Sequence, residues 1–358
     1  MKTQIKLKKR LFPILVPTFN EKRAILETNR KIDYSLENNL NFPPSLKNKS
    51  AYRLTAMYGP KACNFKCPDY CCTEGISQGN LSSGQLKEIL NQAKYLGVKS
   101  SYWPGLGESL LHKEFLSVLE HSHSLGIEPV VFTNGSLFWN NKLCNKSLGI
   151  SSDELLNKLR DLNVNLYVKY WNSNPKKAAE MTGVSEKEYP YSKINGKSVP
   201  LALKKLVRYL PLEKIGVETM VSRENYKDVV DNIIPYVNDL NIYCYLEPVI
   251  LSGKAENKIH LLLTTKQTQN LKRLFVSGGK YCQKRQALDL ILIGDRMSPG
   301  IVIPPKEEDC VIDEDGKVKD LFEIYHNPYF RKVRKIAEEM DGCLCRAVYE
   351  KKINIDHY

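Results

Sequence analysis

The sequence predicts an α/β protein whose main domain is a partial (β/α)6 barrel of the TIM type, followed by a small C-terminal cysteine-rich domain. From Ala51 onward, short runs rich in β-branched and aromatic residues alternate with longer stretches whose apolar residues recur at helical spacing. The alternation yields six strands and at least five helices, which is typical of strand–helix units around a parallel sheet. The length of 358 residues accommodates a barrel of about 200 to 250 residues and an appendage. A doubly wound open sheet has the same local pattern and is the alternative.

The predicted elements follow one another in a regular order. The first unit is a strand at 52–58, a cysteine-bearing loop, and a helix that begins after Ser82 or Ser83 and ends at Gly97. The second unit is a strand at 98–103, a turn that contains two glycines, and a helix that ends at Gly126. The remaining predicted strands cover 129–133, 165–170, 215–222 and 242–248, and the remaining predicted helices cover 152–162, 201–210 and 226–240.

Composition divides the chain into three regions. Residues 1–50 are polar and rich in Asn and Lys, and we interpret them as an N-terminal extension with one helix near 21–38. Residues 51–250 carry the barrel pattern. In residues 251–358 the alternation fades into turns and charged loops with four further cysteines. Because this last region lacks an obvious apolar core, we expect bound metal to supply part of its folding energy.

Charge and cysteine content limit the partners. The net charge of +13 comes from lysines spread over the whole chain, without an Arg-rich stripe or a nucleic-acid-binding module, so we expect no nucleic-acid partner. No run of about 18 apolar residues occurs, and the Lys-rich start lacks the features of a signal peptide. We therefore expect a cytoplasmic protein without a membrane partner. In that compartment, ten cysteines indicate metal ligation or thiol chemistry rather than disulfides.

Three of these cysteines, Cys63, Cys67 and Cys71, lie within nine residues directly after the first predicted strand. Three thiols are one fewer than the four that usually close an iron–sulfur cluster or a structural zinc site. The triad therefore indicates either a distant fourth ligand or an open metal position at which a small molecule can bind. A zinc knuckle, or chance clustering in a cysteine-rich chain, is the alternative interpretation.

Two further motifs follow at the ends of the next predicted strands, Gly105-Leu-Gly-Glu108 and Thr133-Asn-Gly135. With the three cysteines, their order and placement resemble the radical S-adenosylmethionine (SAM) superfamily over about residues 51–255. The family's usual spacing is C-x3-C-x2-C with an aromatic residue before the third cysteine, whereas this chain has C-x3-C-x3-C. Because Tyr70 keeps the aromatic residue ahead of Cys71, we predict Cys71 rather than Cys72 as the third ligand. The widened motif resembles that of the aminoglycoside diol-dehydratase of apramycin biosynthesis.

The resemblance implies a [4Fe-4S] cluster on Cys63, Cys67 and Cys71, with SAM bound to the fourth iron. An electron donor such as flavodoxin or ferredoxin would reduce the cluster. Reductive cleavage of SAM would then give methionine and a 5′-deoxyadenosyl radical that abstracts hydrogen from a small-molecule substrate. Such a centre is oxygen-sensitive, and the barrel mouth at the strand ends is where it would be enclosed.

The resemblance also implies a set of SAM-binding residues at the strand ends. These are Tyr70, Gly105, Gly107, Glu108, Thr133, Asn134, Asn172, Ser173, Ser222 and Arg223. The glycines let the backbone approach the methionyl part of SAM, and Glu108 accepts from its ammonium group. Ordinary turns at both glycine motifs, and a surface arginine at position 223, are the alternatives. Glu247, a carboxylate in an apolar strand, is a candidate substrate contact or general base.

Four cysteines in the C-terminal region, Cys282, Cys310, Cys343 and Cys345, resemble the ligands of a twitch/SPASM-like auxiliary domain. Four thiolates can hold a second [4Fe-4S] cluster, which we expect, or structural zinc, which is the alternative. The leading functional prediction is a radical SAM enzyme that dehydrogenates, epimerises or dehydrates a sugar, aminoglycoside or nucleoside. The alternatives are a peptide or protein maturase, for which 50 N-terminal residues are short, and a non-catalytic metal-stabilised binding protein.

Overall fold

The computed structural model describes residues 16–18, 53–57, 63–71, 81–105, 107–249, 253–274, 289–298 and 309–339. Within them, nine strands form one sheet and two more form a separate hairpin. The strands of the sheet are β1 Val16–Thr18, β2 Arg53–Met57, β3 Ser100–Trp103, β4 Glu128–Thr133, β5 Asn165–Lys169, β8 Ile215–Val221, β9 Tyr243–Pro248, β10 Asp289–Ile293 and β11 Arg296–Ser298. The hairpin consists of β6 Tyr191–Ile194 and β7 Lys197–Pro200.

Helices connect the strands. The α-helices are α1 Ser83–Tyr95, α2 Phe115–Ser124, α3 Asn141–Leu148, α4 Ser152–Asp161, α5 Pro175–Thr182, α6 Leu201–Tyr209, α7 Ile234–Leu240, α8 Thr265–Leu274, α9 Leu321–Tyr325 and α10 Pro328–Glu339, with a single turn at Tyr226–Asp228. Short 3-10 helices cover Ser109–Leu111, Ser136–Phe138, Leu212–Lys214, Gly253–Ala255 and Ile259–Leu261, and a π-helical segment covers Val229–Ile233. Within the described ranges, no helix combines the length and the apolar character needed to cross a bilayer.

The order of the strands identifies the architecture. The sheet runs β1-β9-β8-β5-β4-β3-β2-β10-β11, and all pairings from β10 through β2 to β9 are parallel. The six predicted strands are therefore neighbours in chain order, without the reversal that a doubly wound sheet requires. The ring of Phe132 on β4 lies 4.9 Å from that of Tyr245 on β9, although two strands separate them, so the sheet curves into a partial barrel. The predicted partial barrel is confirmed, whereas the C-terminal cysteine-rich domain stays a prediction.

The helices bury their apolar faces against the outer face of the sheet. Helix α1 illustrates why: Ser82 and Gln85 form a reciprocal capping box, and its apolar side chains recur every three or four residues. Leu86, Ile89 and Leu90 on that stripe are all buried in the main core. The helices therefore pack on the outer face of the sheet. The carboxyl ends of the strands remain available for a functional site.

Several elements were not predicted. β1 pairs antiparallel with β9, and β10 pairs parallel with β2, so short segments of both flanking regions extend the barrel sheet. β1 was missed because a run of three residues is too short to show a periodicity. β10 was missed because it is a short apolar run without alternation, inside a region rich in turns. The helix predicted at 226–240 is interrupted by the π-helical segment. The helix predicted near 21–38 lies outside the described residues, and the domain boundaries at 50 and 250 stay predictions.

Candidate active site

The three sequence motifs meet at the carboxyl edge of the parallel strands. The cysteine loop follows β2, the glycine turn follows β3, and Thr133 and Asn134 end β4. The Thr133 hydroxyl donates to Oε1 of Glu108 over 2.8 Å, and the backbone N–H of Asn134 donates to Oε2 over 2.6 Å. The side-chain amide of Asn134 in turn donates to Oδ1 of Asn64, within the cysteine loop, over 2.8 Å. A continuous hydrogen-bonded network therefore connects all three motifs.

Glu108 is the buried centre of this network. Its side chain also accepts from the backbone N–H of Leu110 over 3.3 Å, and the residue is only 2% exposed. Burial raises the pKa of Glu108, although the hydrogen bonds from Asn134 and Thr133 oppose the shift. A carboxylate that is desolvated and held by three donors is a rigid acceptor, and it gains most from a cationic ligand. This is the chemistry expected of a residue that receives an ammonium group.

The three cysteine thiols lie within one another's electrostatic field. The pKa of Cys67 is raised to about 11, chiefly by burial and in part by the thiols of Cys63 and Cys71, while Lys169 opposes the increase. Although Cys63 as a whole residue is exposed, desolvation of its thiol, and then Glu108, raise its pKa. Such thiols stay protonated until a metal takes the place of the protons. The three thiol donors of Cys63, Cys67 and Cys71 suit a cluster that has one open iron.

The described residues contain no group of three or more Cys, His, Asp and Glu side chains already gathered into a metal site. Cys63 is exposed, and Cys67 and Cys71 are half-buried. The described cysteines fit an iron–sulfur cluster by donor type and by their positions in one loop, but their thiols are not gathered into a metal-binding group in this structure. Of the four C-terminal cysteines, only Cys310 lies among the described residues, where it is half-buried and forms an isolated bridge with Arg296.

The cysteine loop rests on the C-terminal end of α5. The backbone N–H of Lys66, which lies between the first two cysteines, donates to the carbonyl oxygen of Thr182 over 3.1 Å. The ring of Phe65 meets that of Tyr189 edge-on at 5.2 Å. Gly183 ends α5 with φ of +65°, and a Cβ atom there would lie 2.3 Å from the carbonyl oxygen of Lys66. The position of the loop thus depends on a close backbone approach that only glycine permits.

Tyr70 connects the cysteine loop to the end of β8. Its hydroxyl donates to Oε2 of Glu224 over 3.0 Å, and its ring lies 6.0 Å from that of Trp171. Burial raises the pKa of Tyr70 to about 12, so the phenol stays protonated and can donate. The aromatic residue ahead of the third cysteine is therefore held in a single orientation.

The predicted SAM-binding residues that follow β5 and β8 lie at the same edge of the sheet, but some of their polar groups already form hydrogen bonds within the protein. Ser173 donates both its backbone N–H and its hydroxyl to Asp228, so towards a ligand its hydroxyl oxygen can only accept. The buried Asn172 accepts from the backbone N–H of Asn174 over 3.0 Å, and Ser222 is likewise buried. Arg223 is exposed, and its Nε donates to the carbonyl oxygen of Leu262 over 3.1 Å.

Two functional candidates were missed by sequence reasoning, Lys169 on β5 and Glu218 on β8. Nζ of Lys169 lies 3.4 Å from Oε2 of Glu218, which also accepts from Nε1 of Trp171 over 3.2 Å. The ammonium of Lys169 lies 4.4 Å from the centroid of the Trp171 ring. Burial lowers the pKa of Lys169, but Glu218 and the nearby thiols raise it by more, so the ammonium stays charged. Because side chains alternate between the two faces of a strand, Lys169 lies on the same face as Tyr167. This alternation is the sequence signal from which Lys169 could have been predicted as a site residue.

Glu247 lies near the carboxyl end of β9, two residue pairs further along the strands than Glu218, which pairs with Tyr245. Burial raises its pKa to about 7, and Glu218 contributes to the increase while Lys169 opposes it. Among the described residues, no hydrogen-bond or ion-pair partner of its carboxyl group is recorded. A carboxyl group with a pKa near neutrality can exchange a proton at physiological pH, as a general acid or base must.

The raised pKa of Glu247 predicts a pH-dependent stability. Between its ordinary value of 4.5 and about 7, the folded chain retains a proton that the unfolded chain has lost. Stability from this group is fully present below pH 4.5 and is lost as the pH rises through 7, by about 1 to 3 kcal/mol. Relative to Glu247→Gln, we therefore expect the reconstituted native protein to lose about this much unfolding free energy between pH 5 and pH 8. Urea denaturation of both proteins at the two pH values measures it, and an unchanged difference would contradict the assignment.

Comparison with known proteins shows which proteins this chain is similar to. No protein-family model matches the chain. Over 105 residues it is 30% identical to an S-adenosylmethionine-dependent nucleotide dehydratase from Selenomonas ruminantium. This match covers 29% of the chain and 38% of the relative, so the chain spans well under half the length of that relative.

Two solved structures share the fold. The first is SuiB from Streptococcus suis bound to the precursor peptide SuiA, with 15% identity, a TM-score of 0.54, and coverage of 88% of this chain and 72% of SuiB. The second is anSMEcpe with bound AdoMet (SAM) and the Cp18Cys peptide, with 14% identity, a TM-score of 0.54, and coverage of 82% and 87%. At these identities the similarity concerns the fold alone.

The fold and the strand-end site thus define an α/β partial-barrel protein with a thiol loop at the mouth of the barrel. Together with the similarity to the SAM-dependent relative over 105 residues, these features resemble those of the radical SAM superfamily.

Proposed function

We propose that the protein uses SAM to abstract a hydrogen atom from a small-molecule substrate such as a sugar, aminoglycoside or nucleoside, leading to dehydrogenation, epimerisation or dehydration. The observation that carries this proposal is the hydrogen-bonded network that joins the cysteine loop, Glu108 and Asn134 at one barrel edge. When bound, the cluster and SAM together would supply a 5′-deoxyadenosyl radical. The remaining requirements, which are binding, orientation and the exclusion of water, are tasks for the protein itself.

In this proposal Cys63, Cys67 and Cys71 hold the cluster, and Glu108 accepts from the ammonium group of SAM. Gly105 and Gly107 follow β3 with φ of +77° and +125°, so the turn can bring backbone groups close to a ligand. Tyr70, Thr133 and Asn134 complete the wall on that side. Asn172, Ser173, Ser222 and Arg223 contribute acceptors and donors from the ends of β5 and β8.

An apolar cluster beneath the cysteine loop excludes water from this site. Its buried members are Tyr70, Trp171, Met181, Met220, Val249, Ala255 and Leu261, and Cys67 packs against them. A radical is quenched by stray hydrogen donors, so a dry wall beside the thiols favours the proposed chemistry. Glu247, from the barrel interior, is the proposed substrate contact that moves a proton.

We propose further partners and a second metal site on the same grounds. Cys282, Cys310, Cys343 and Cys345 would hold a second [4Fe-4S] cluster, with zinc as the alternative, and flavodoxin or ferredoxin would deliver electrons. A cytoplasmic location would keep the proposed cluster-binding thiols reduced. A peptide substrate is the second candidate, because the two solved neighbours are bound to peptides. The nucleotide dehydratase relative favours the small-molecule candidate.

The test is anaerobic reconstitution with iron and sulfide, followed by addition of SAM and dithionite. We expect 5′-deoxyadenosine in the complete mixture and none when dithionite is omitted. Iron analysis should give about eight irons per chain if both clusters form. Absence of 5′-deoxyadenosine from protein that contains the cluster would contradict the proposed function, and about four irons with one zinc would contradict the second cluster.

A further inference from the structure

The concave face of the barrel combines aromatic rings with charged groups. The ring of Phe132 stacks on that of Tyr167 at 4.9 Å, and the ring of Tyr245 meets Phe132 edge-on at the same distance. Because side chains alternate along a strand, Lys169 shares this face with Tyr167, and Glu247 shares it with Tyr245. Moving towards the carboxyl edge of the sheet, an aromatic floor is therefore followed by a charged layer.

Several side chains on this concave face keep accessible surface. Tyr167, Tyr245 and Glu247 are only half-buried, although they face the inside of a curved sheet. The side chain of Lys169 remains 24% exposed in the same place. A ligand can therefore contact both the aromatic rings and the charged groups.

The charges in this layer are unevenly matched. Lys169 is paired with Glu218 at 3.4 Å and interacts with the thiols of the cysteine loop and with Glu108. Its positive charge is therefore shared among several anionic or polar groups. Within the described ranges, the carboxyl group of Glu247 has no hydrogen-bond or ion-pair partner, and the nearby Glu218 repels its negative charge. The ammonium of Lys169 attracts Glu247 but is paired with Glu218, so a further cation from a ligand would stabilise the site.

Aromatic rings beside this carboxylate favour the same kind of ligand. The faces of tyrosine and phenylalanine rings attract cations, and their apolar surfaces pack against the C–H groups of a sugar or cyclitol ring. Phosphate groups would instead meet the carboxylates of Glu218 and Glu247, whose repulsion Lys169 offsets in part. The arrangement thus favours a positively charged substrate over a nucleotide.

We propose that the substrate carries a protonated amino group, which Glu247 accepts against the rings of Tyr167 and Tyr245. This inference rests on the proposed function, because it names the substrate class of the same site. The amine belongs to an aminosugar, to an aminocyclitol or to a lysine side chain, since each presents an alkylammonium group on an apolar frame. Glu247 is then a specificity-determining residue in direct contact with the substrate.

Binding without turnover tests this proposal separately from SAM cleavage. The reconstituted protein, loaded with SAM but kept without reductant, is titrated by calorimetry with glucosamine, 2-deoxystreptamine and a lysine-containing pentapeptide. Each probe is compared with its N-acetylated form, and cytidine triphosphate serves as the anionic contrast. We expect at least one amine to bind tenfold or more tighter than its N-acetylated form and than the triphosphate. The probe that binds distinguishes a small amine from a peptide.

The variants Glu247→Gln and Glu120→Gln complete the test. Glu120 is exposed on α2, so its replacement should leave the preference for amines intact. Glu247→Gln keeps the size of the side chain and should reduce the preference to less than threefold. Equal binding of neutral forms, tighter binding of the triphosphate, no binding of any amine, or an unchanged preference in Glu247→Gln would overturn the proposal. Formation of 5′-deoxyadenosine in a parallel assay reports on the proposed function independently of these outcomes.

Discussion

Replacement of Cys71 by alanine is expected to reduce formation of 5′-deoxyadenosine to the background level, whereas replacement of the adjacent Cys72 should leave it unchanged. The thiol of Cys71 contributes to the raised pKa of both other cysteines, so it belongs to the same group of donors. The carbonyl oxygen of Cys71 accepts from the backbone N–H of Lys254 over 3.0 Å, and Tyr70 is anchored to Glu224. These contacts restrain the backbone at position 71 and the ring of the residue before it.

The measurement is iron content together with 5′-deoxyadenosine after anaerobic reconstitution. Cys71→Ala should lose about four irons per chain, because two thiolates cannot retain the cluster at the barrel mouth. Cys72→Ala is the matched control, since it removes one thiol at the next position. Full iron and activity in Cys71→Ala, combined with loss of both in Cys72→Ala, would reverse the assignment of the third ligand.

Replacement of Gly183 by alanine should impair cluster assembly, although the residue lies outside the cysteine loop. Both Gly183 and Gly149 end helices with positive φ, of +65° and +73°, so alanine costs about 1 to 2 kcal/mol of backbone strain at either position. A Cβ at Gly149 meets nothing within 4 Å, whereas one at Gly183 would lie 2.3 Å from the carbonyl oxygen of Lys66. Only the second change must displace the segment between two cysteine ligands.

We therefore expect the two variants to melt at similar temperatures but to differ in function. Gly183→Ala should form 5′-deoxyadenosine at least tenfold more slowly than Gly149→Ala, because a displacement of about 1 Å can reduce a reaction rate roughly a hundredfold. Its iron content and EPR signal should fall in parallel. If both variants assembled the cluster equally and were equally active, the close approach of Gly183 to Lys66 would have no role in positioning the loop.

The sequence predicted the barrel well because its strands and helices are long enough to have a clear period. All six predicted strands are present to within one or two residues, and strands that follow one another in the chain are neighbours in the sheet. The site was predicted less completely, and the reason is geometric. A charged residue at a strand end, such as Lys169, looks the same in sequence whether it faces solvent or the barrel interior. The pairing of Lys169 with Glu218 depends on the register between two strands, and so does the position of Glu247 two pairs further along.

The contact between the cysteine loop and the C-terminal end of α5 could not be predicted from the sequence either. In the sequence, Gly183 and Gly149 both have the pattern of an ordinary glycine at the end of a helix. Only the tertiary structure distinguishes the two positions. Likewise, the motif at Thr133 and Asn134 is an ordinary turn in sequence. Its hydrogen bonds to Glu108 and Asn64 bridge separations of 25 or more residues.

The described sheet stops on each side at a strand of only three residues, β1 and β11, both antiparallel to their neighbours. Strands this short offer another polypeptide few free backbone groups on which to add, which discourages intermolecular sheet growth. The two edge strands also come from distant parts of the chain, β1 from its N-terminal region and β11 from its C-terminal region. The second edge of the sheet can therefore form only after β11 has been synthesised. Ribosome-bound fragments that lack this segment should therefore be more prone to self-association than the finished protein.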